Sequence, residues 1–228
     1  MIKFEEVTKK YTGGQIQLDA ISLDIESGEF VFLVGPSGVG KTTFLRLITR
    51  EIMPTSGRIF INEEDIIKLP AKRIPFLRRR IGTVFQDFKL LLNRTVFENV
   101  SLPLEVLGLK DSDIEKEVSL VLEKVGLLEK ANSFPVQLSG GEVQRTAIAR
   151  AIIAKPQILL ADEPTADLDP ETAQSIVELL NKINETERTI IIMATHNVQI
   201  VNSHKKRVVS LKKGKIHKDT KDGKYETD

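Results

Sequence analysis

Cysteine is absent from the 228 residues. Disulfides and thiolate chemistry are therefore excluded, and a reducing cytosol is the expected compartment. No apolar run approaches the ~20 residues that span a bilayer. If the protein acts at a membrane, another chain must supply the span. The segment from Met1 to Tyr11 alternates apolar and polar residues and lacks the apolar centre of a signal peptide. Neither sign of charge dominates: Lys and Arg total 33 against 32 Asp and Glu. That balance gives no electrostatic case for nucleic acid or an anionic lipid surface as the main partner. No internal repeat and no low-complexity tract interrupts the chain.

What is present suits a soluble globular protein of one large domain or two small ones. Ile2 to Val7 and Leu18 to Ile25 alternate like half-exposed strands, with a turn at Gly13 and Gly14. Phe30 to Val34 is a continuous apolar run, as expected of a strand buried on both faces. Similar runs follow at Arg80 to Phe85, Ile158 to Ala161, Thr189 to Ala194 and Arg207 to Leu211. Ile176, Leu179, Leu180 and Ile183 recur at helical spacing after Pro170. Strands alternating with helices predict an α/β fold with a mainly parallel sheet. From about Asp87 to Lys155 the pattern is helical throughout, which reads as an insertion into that core. The division is thus 1–87 and 156–228 for the core and 88–155 for the helical part. The last residues turn polar and end as an expected loose tail.

Three short stretches carry chemistry. Gly35, Pro36, Ser37, Gly38, Val39, Gly40, Lys41, Thr42 and Thr43 contain G-x-x-x-x-G-K-[ST] between a buried strand and a helix. Glycines let several N–H groups converge on phosphate oxygens. Lys41 supplies a compact charge for the β and γ phosphates, and Thr42 a hydroxyl for Mg²⁺. The helix from about Lys41 to Thr49 aims its positive end at the anion. Asp162 and Glu163 end the buried run Ile158 to Ala161. Asp162 suits a Mg²⁺ shell and Glu163 a placed water, although a solvated acidic turn gives the same pair. Ser139, Gly140, Gly141 and Glu142 open a helix. Ser139 with Glu142 fits a capping box, and the glycine-rich amide terminus equally suits an anion.

The order of these stretches, with Gln86 in "FQD", Asp169 in "LD" and His196 in "ATH", resembles the ATP-binding cassette (ABC) ATPases over nearly the whole chain. The resemblance implies a P-loop NTPase core of RecA-like type. To it are added an antiparallel β subdomain at the N-terminus and an inserted α-helical subdomain. It also implies ATP hydrolysis with ATP and Mg²⁺, in a head-to-tail homodimer. Each ATP then lies between the phosphate loop of one subunit and the Ser139 turn of the other. By the same resemblance Tyr11 stacks on adenine, Gln86 links Mg²⁺ and water to the helical part, and His196 steadies Glu163 at the γ-phosphate. Asp169 stands at the subunit interface. His204 and His217 match no motif and are read as structural. Ala166 and Asp167 depart from the family pattern, where small or amide residues are more usual.

Arg73 to Gly108 is most similar to the FtsE-type branch of the family, the cell-division cassettes. Members of that branch pair with a polytopic FtsX-like membrane protein to control peptidoglycan hydrolases at the division site. That implies a peripheral place on the cytoplasmic side of the plasma membrane, held through the partner. Phe85, Phe88, Leu90, Leu91, Leu92, Val96 and Phe97 supply more apolar surface than one core needs, and the surplus suits a groove for a partner helix. Arg78 to Arg80 reads as a solvated helix face. The alternatives are an exporter ATPase of the lipoprotein-release or macrolide-efflux kind, and a non-turnover scaffold in which ATP serves mainly to dimerise the chain.

Overall fold

The computed structural model describes residues 1–225. Ten strands and seven helices follow in the order β1 (Ile2–Lys10), β2 (Ile16–Ile25), β3 (Phe30–Val34), α1 (Lys41–Ile48), β4 (Ser56–Ile61), β5 (Glu64–Asp65), α2 (Ile74–Arg79), β6 (Ile81–Val84), α3 (Val96–Leu107), α4 (Asp111–Val125), α5 (Gly140–Ile152), β7 (Ile158–Asp162), α6 (Pro170–Glu187), β8 (Ile190–Thr195), α7 (Val198–Ser203), β9 (Arg207–Lys212) and β10 (Lys215–Thr220). They build a four-stranded sheet, β2-β1-β4-β5, and a six-stranded sheet, β10-β9-β3-β8-β7-β6. The first is antiparallel. The second is parallel from β9 to β6, with β10 antiparallel at its edge.

Strand alternation assigns every residue of β3 to one of two cores. Phe30, Phe32 and Val34 join the core shared with the helices between residues 96 and 183. Val31 and Leu33 face the other core, made with α1 and the four-stranded sheet. β7 and β8 divide in the same way: Leu159, Ala161, Ile191 and Met193 on the helical side, Ile158, Leu160, Ile190 and Ile192 on the other. Burial on both faces explains why these strands are uniformly apolar.

Residues 88–155 carry α3, α4, α5 and two single turns of 3-10 helix, with no strand. Their ends are marked by local chemistry. Thr95 and Glu98 form a capping box at α3, and Ser139 with Glu142 form another at α5. Gly108 and Gly126 close α3 and α4 in the left-handed region, where glycine carries no Cβ penalty. Asn99 is fully buried and ties down the loop before its own helix. It accepts from Leu91 N–H and donates to the carbonyls of Leu91, Arg94 and Thr95. No helix among the described residues is long and apolar enough to cross a membrane.

Two expectations need correction. The polar C-terminal stretch is not wholly loose. Lys215–Thr220 form the edge strand β10, and Tyr225 is buried against the helical core. Antiparallel pairing with β9 satisfies its backbone, so apolar content is not required of it. Only Glu226 to Asp228 of the expected tail lie outside the described residues. Nor is Arg78 to Arg80 simply a solvated face. Arg78 donates to the Thr49 and Arg50 carbonyls past the end of α1, and Arg80 pairs with Glu64 at 3.0 Å. Arg79 alone is free to stack over exposed Phe76.

Candidate active site

In the order β3-β8-β7 the carboxyl ends of three parallel strands lie side by side. Ligands of open α/β sheets bind at such ends. β3 runs into the glycine loop, β7 ends on Asp162 and β8 on Thr195. Lys41, Glu163 and His196 meet there. The Lys41 ammonium, only 7% exposed, donates to the Gly35 carbonyl at 2.8 Å and lies 3.3 Å from Glu163 Oε1. The same Oε1 accepts from His196 Nδ1 at 2.9 Å. A carboxylate can only accept, so His196 carries its proton on Nδ1 and leaves Nε2 free.

Asp162 and Glu163 are neighbours, yet both side chains reach this end of the sheet. The reason is backbone. Glu163 adopts φ +48, the left-handed region, which a strand residue avoids. Its N–H donates to the Ala194 carbonyl on β8, and its carbonyl accepts from Ala166. The turn therefore begins at Glu163 itself. β8 and its exit are fixed by their own polar groups. Thr195 Oγ1 accepts from Asn197 N–H at 3.1 Å, and Asn197 caps α7 through Ile200 N–H. These two residues flank His196 and set its place. Thr195 stands inside "ATH", where only His196 carries an expected role, and Asn197 lies outside every motif.

A cleft of about 880 Å³ opens beside this cluster, lined by Thr42, Asp162, Gln86 and Asp167 and continuing to Arg46, Arg78 and Phe85. Burial pushes the Asp162 carboxyl above its ordinary value, and the Thr42 hydroxyl partly opposes the shift. Its buried Oδ1 has no hydrogen-bond partner. An orphaned carboxylate oxygen beside a hydroxyl is a fitting seat for a divalent cation. No cluster of three metal-ligating side chains occurs among the described residues.

α1 starts at Lys41 with no side-chain cap, so its first N–H groups remain free for an anion. Gly35 and Gly40 are irreplaceable for steric reasons. A Cβ on Gly35 would sit 2.6 Å from the Leu211 carbonyl oxygen, and one on Gly40 2.8 Å from that of Gln17. Tyr11, at the tip of the β1–β2 hairpin, is exposed, with its hydroxyl 3.4 Å from Thr43 Oγ1 and Lys9 over its ring.

Ser139 to Glu142 and Asp169 form a second cluster. Glu142 accepts from Ser139 N–H at 2.8 Å, which holds its carboxyl below the usual range. Asp169 accepts from Thr172 N–H and caps α6. A Cβ on Gly140 would lie 3.4 Å from Leu168, and one on Gly141 2.6 Å from Thr172. The Ser139 turn thus rests on the start of α6. Residues 163–169, including Ala166 and Asp167, connect the two clusters. His204 is buried and bonded to the Ile200 carbonyl through Nδ1, while His217 lies exposed on β10.

Gln86 lies past the end of β6, and the chain beyond it is strained. Phe88 and Lys89 both take positive φ, +56 and +50. Arg150 of α5 grips both carbonyls at 2.6 Å. The apolar run here divides: Val96 is core, and Phe88, Leu90 and Phe97 pack on it. Leu91 and Leu92 stay exposed. Phe85 faces a second cleft of about 560 Å³ with Leu102, Val106, Leu107 and Arg150.

Residues 18–166 match the ABC transporter family. Cell division ATP-binding protein FtsE of Bacillus subtilis is 51% identical over 225 residues, covering 99% of this chain and 98% of that one. FtsE of Mycobacterium tuberculosis is 49% identical over 229 residues, covering 100% and 99%. Among solved structures, a dimeric ATP-binding cassette in a post-hydrolysis state bound to ADP and Pi superposes with a TM-score of 0.88. It shares 36% identity over 99% of this chain and 100% of its own. The cassette cbiO1 of Clostridium perfringens, part of an ABC transporter complex, gives a TM-score of 0.90 at 32% identity, covering 96% and 88%.

Proposed function

The chain belongs to the ABC transporter family of ATPases, and from that premise we propose its place in the cell. It is the ATP-hydrolysing subunit of an FtsEX-like membrane complex. ATP-driven dimerisation is coupled to transmembrane control of peptidoglycan hydrolysis in bacterial division. The chain sits on the cytoplasmic face of the membrane at the division site, held by an FtsX-like polytopic protein. The observation that carries the chemistry is Glu163 Oε1, held between Lys41 and His196. Near full-length identity to cell-division cassettes supports the cellular role.

The phosphate loop and the free N–H groups of α1 bind the triphosphate, and Tyr11 stacks on the base. Lys41 meets the β and γ phosphates. Thr42 and Asp162, with Gln86, would hold Mg²⁺, which when bound draws charge from the β and γ oxygens. Glu163 orients the attacking water and accepts its proton. A bond forms from the water oxygen to the γ-phosphorus as the bond to the ADP oxygen breaks. His196 holds Glu163 in place beside the γ-phosphate through Nδ1–H. The Ser139 turn and Asp169 of a second copy close the site from the opposite side. ATP then brings two chains together and hydrolysis releases them, as donors from both surround the phosphate charge. The Phe85 cleft receives a cytoplasmic helix of the membrane partner.

Co-purification with an FtsX-like membrane protein, and a division defect when Lys41→Ala replaces the native chain, are the expected results. Normal division in cells carrying only the Lys41→Ala chain refutes the cellular role.

A further inference from the structure

β2 passes against the phosphate loop at Gln17. A Cβ on Gly40 would lie 2.8 Å from the Gln17 carbonyl oxygen. One on Gly214, between β9 and β10, would lie 2.9 Å from the same atom. The backbone of Gln17 is therefore fixed from two sides by residues that only glycine can supply. Its half-buried side chain reaches the loop and donates from Nε2 to the Gly38 carbonyl. A carbonyl oxygen only accepts, so the amide orientation is unambiguous.

That bond completes a pattern. Lys41 Nζ ties the Gly35 and Pro36 carbonyls, at 2.8 and 3.4 Å. Gln17 ties that of Gly38, and the N–H of the same peptide, on Val39, donates to Pro36 at 3.3 Å. A loop that binds an anion must present N–H groups inward and keep its carbonyls out, because carbonyl oxygens repel phosphate. Gly38 is where this is least secure. Its φ is +77, and nothing lies within 4 Å of the position a Cβ would take. Packing does not hold this glycine; its following peptide is held on one side only by the long Val39 bond to Pro36, at 3.3 Å. The Gln17 amide holds the other side.

We propose that Gln17 is a positioning residue for phosphate binding, acting through Gly38 to keep the loop in its donor-inward form. The inference rests on the nucleotide reading of the loop and deepens it. Gln17 needs no contact with nucleotide, so its effect falls on affinity and not on the chemical step.

Gln17→Met tests this, because it keeps length and volume and removes the donor. The net worth of one neutral hydrogen bond predicts a rise in Kd for ATP with Mg²⁺ of about fivefold. KM should rise in step, with kcat within about twofold and the melting temperature of the nucleotide-free protein within about 2 °C. Gln17→Ala should weaken binding at least as much. Wild-type affinity in both variants overturns the proposal. So does a loss of kcat at constant KM, which would place Gln17 in the chemistry. So does a matching fall in melting temperature, which would make the residue merely structural. Failure of the wild-type chain itself to bind ATP overturns the nucleotide reading instead, so the two failures are distinguishable.

Discussion

Gly140→Ala separates the fold from the composite site more cleanly than any loss of a charged group. Gly140 is the first residue of α5, is exposed, and does not need positive φ. An added Cβ meets only Leu168 Cδ2, at 3.4 Å, a flexible end that yields by a few tenths of an ångström. Alanine exceeds glycine in helix interiors by ~1 kcal/mol, and less in a first turn. At this chain length 1 kcal/mol moves Tm by about 2–4 °C. The isolated variant should therefore melt at the wild-type temperature or up to about 3 °C above it. On the proposed composite site the same methyl would stand where a neighbouring copy's triphosphate approaches the first amides of α5. Alanine keeps the N–H, but a methyl that holds the phosphate off the first amides of α5 weakens donors whose complete loss costs roughly 10²–10³ in rate, so hydrolysis should fall at least ~10-fold. Thermal melting with steady-state phosphate release, on one preparation, reads both. Full hydrolysis by a stable Gly140→Ala complex refutes the claim that the Ser139 turn touches nucleotide. Gly141→Ala lacks this clarity, because its Cβ would strike Thr172 Cγ2 at 2.6 Å within the same chain.

Glu163→Gln should lower hydrolysis by about 10²–10⁴ and accumulate an ATP-bound dimer in light scattering. A variant that stays monomeric with saturating ATP and Mg²⁺ contradicts ATP-driven closure. Burial holds Asp162 above its ordinary 3.8, so the folded chain keeps a proton that the unfolded chain has lost. Stability from this group is thus lost as pH rises through that raised value. Asp162→Asn should melt no lower than wild type at pH 7 without metal, yet lose the extra Tm that Mg²⁺ gives over ATP with EDTA. An undiminished Mg²⁺ gain removes Asp162 from the metal shell. Thr95→Ala, which breaks the α3 capping box, should cost about 1 kcal/mol and lower Tm by about 2–4 °C. An unchanged Tm would show that the box adds nothing there.

Much of this was legible in the residues because the physics is local. Uninterrupted apolar runs marked β3, β7 and β8, and the glycine loop between strand and helix followed from the bonds a phosphate demands. β4, β5 and β10 were not legible. β5 has two residues, β4 opens on Ser-Gly-Arg before its buried Ile59 and Ile61, and β10 is polar at all but Ile216. The meeting of Lys41, Glu163 and His196 depends on strand order, which no spacing within the chain encodes. Asp162 and Glu163 posed a conflict, since neighbours on a strand point apart. The left-handed turn at Glu163 resolves it, and that angle has no signature in a glutamate. Asn197, Arg150 and Gln17 escaped for a related reason: each acts by holding another residue's backbone, and such work leaves no motif.

The grip of Arg150 on Phe88 and Lys89 has a mechanical consequence. Ten residues of α5 separate Gly140 from Arg150, about 15 Å of stiff rod at the rise of an α-helix. A Cβ on Gly82 would lie 2.3 Å from the Ala151 carbonyl oxygen, so β6 bears on the rod next to the guanidinium, as a fulcrum bears on a lever. A pull on the Phe88 and Lys89 carbonyls bears on that end of α5, and the Ser139 turn stands at the other. The ATP-linked loop and the surface that another copy must meet are thus the two ends of one buried, stiff element.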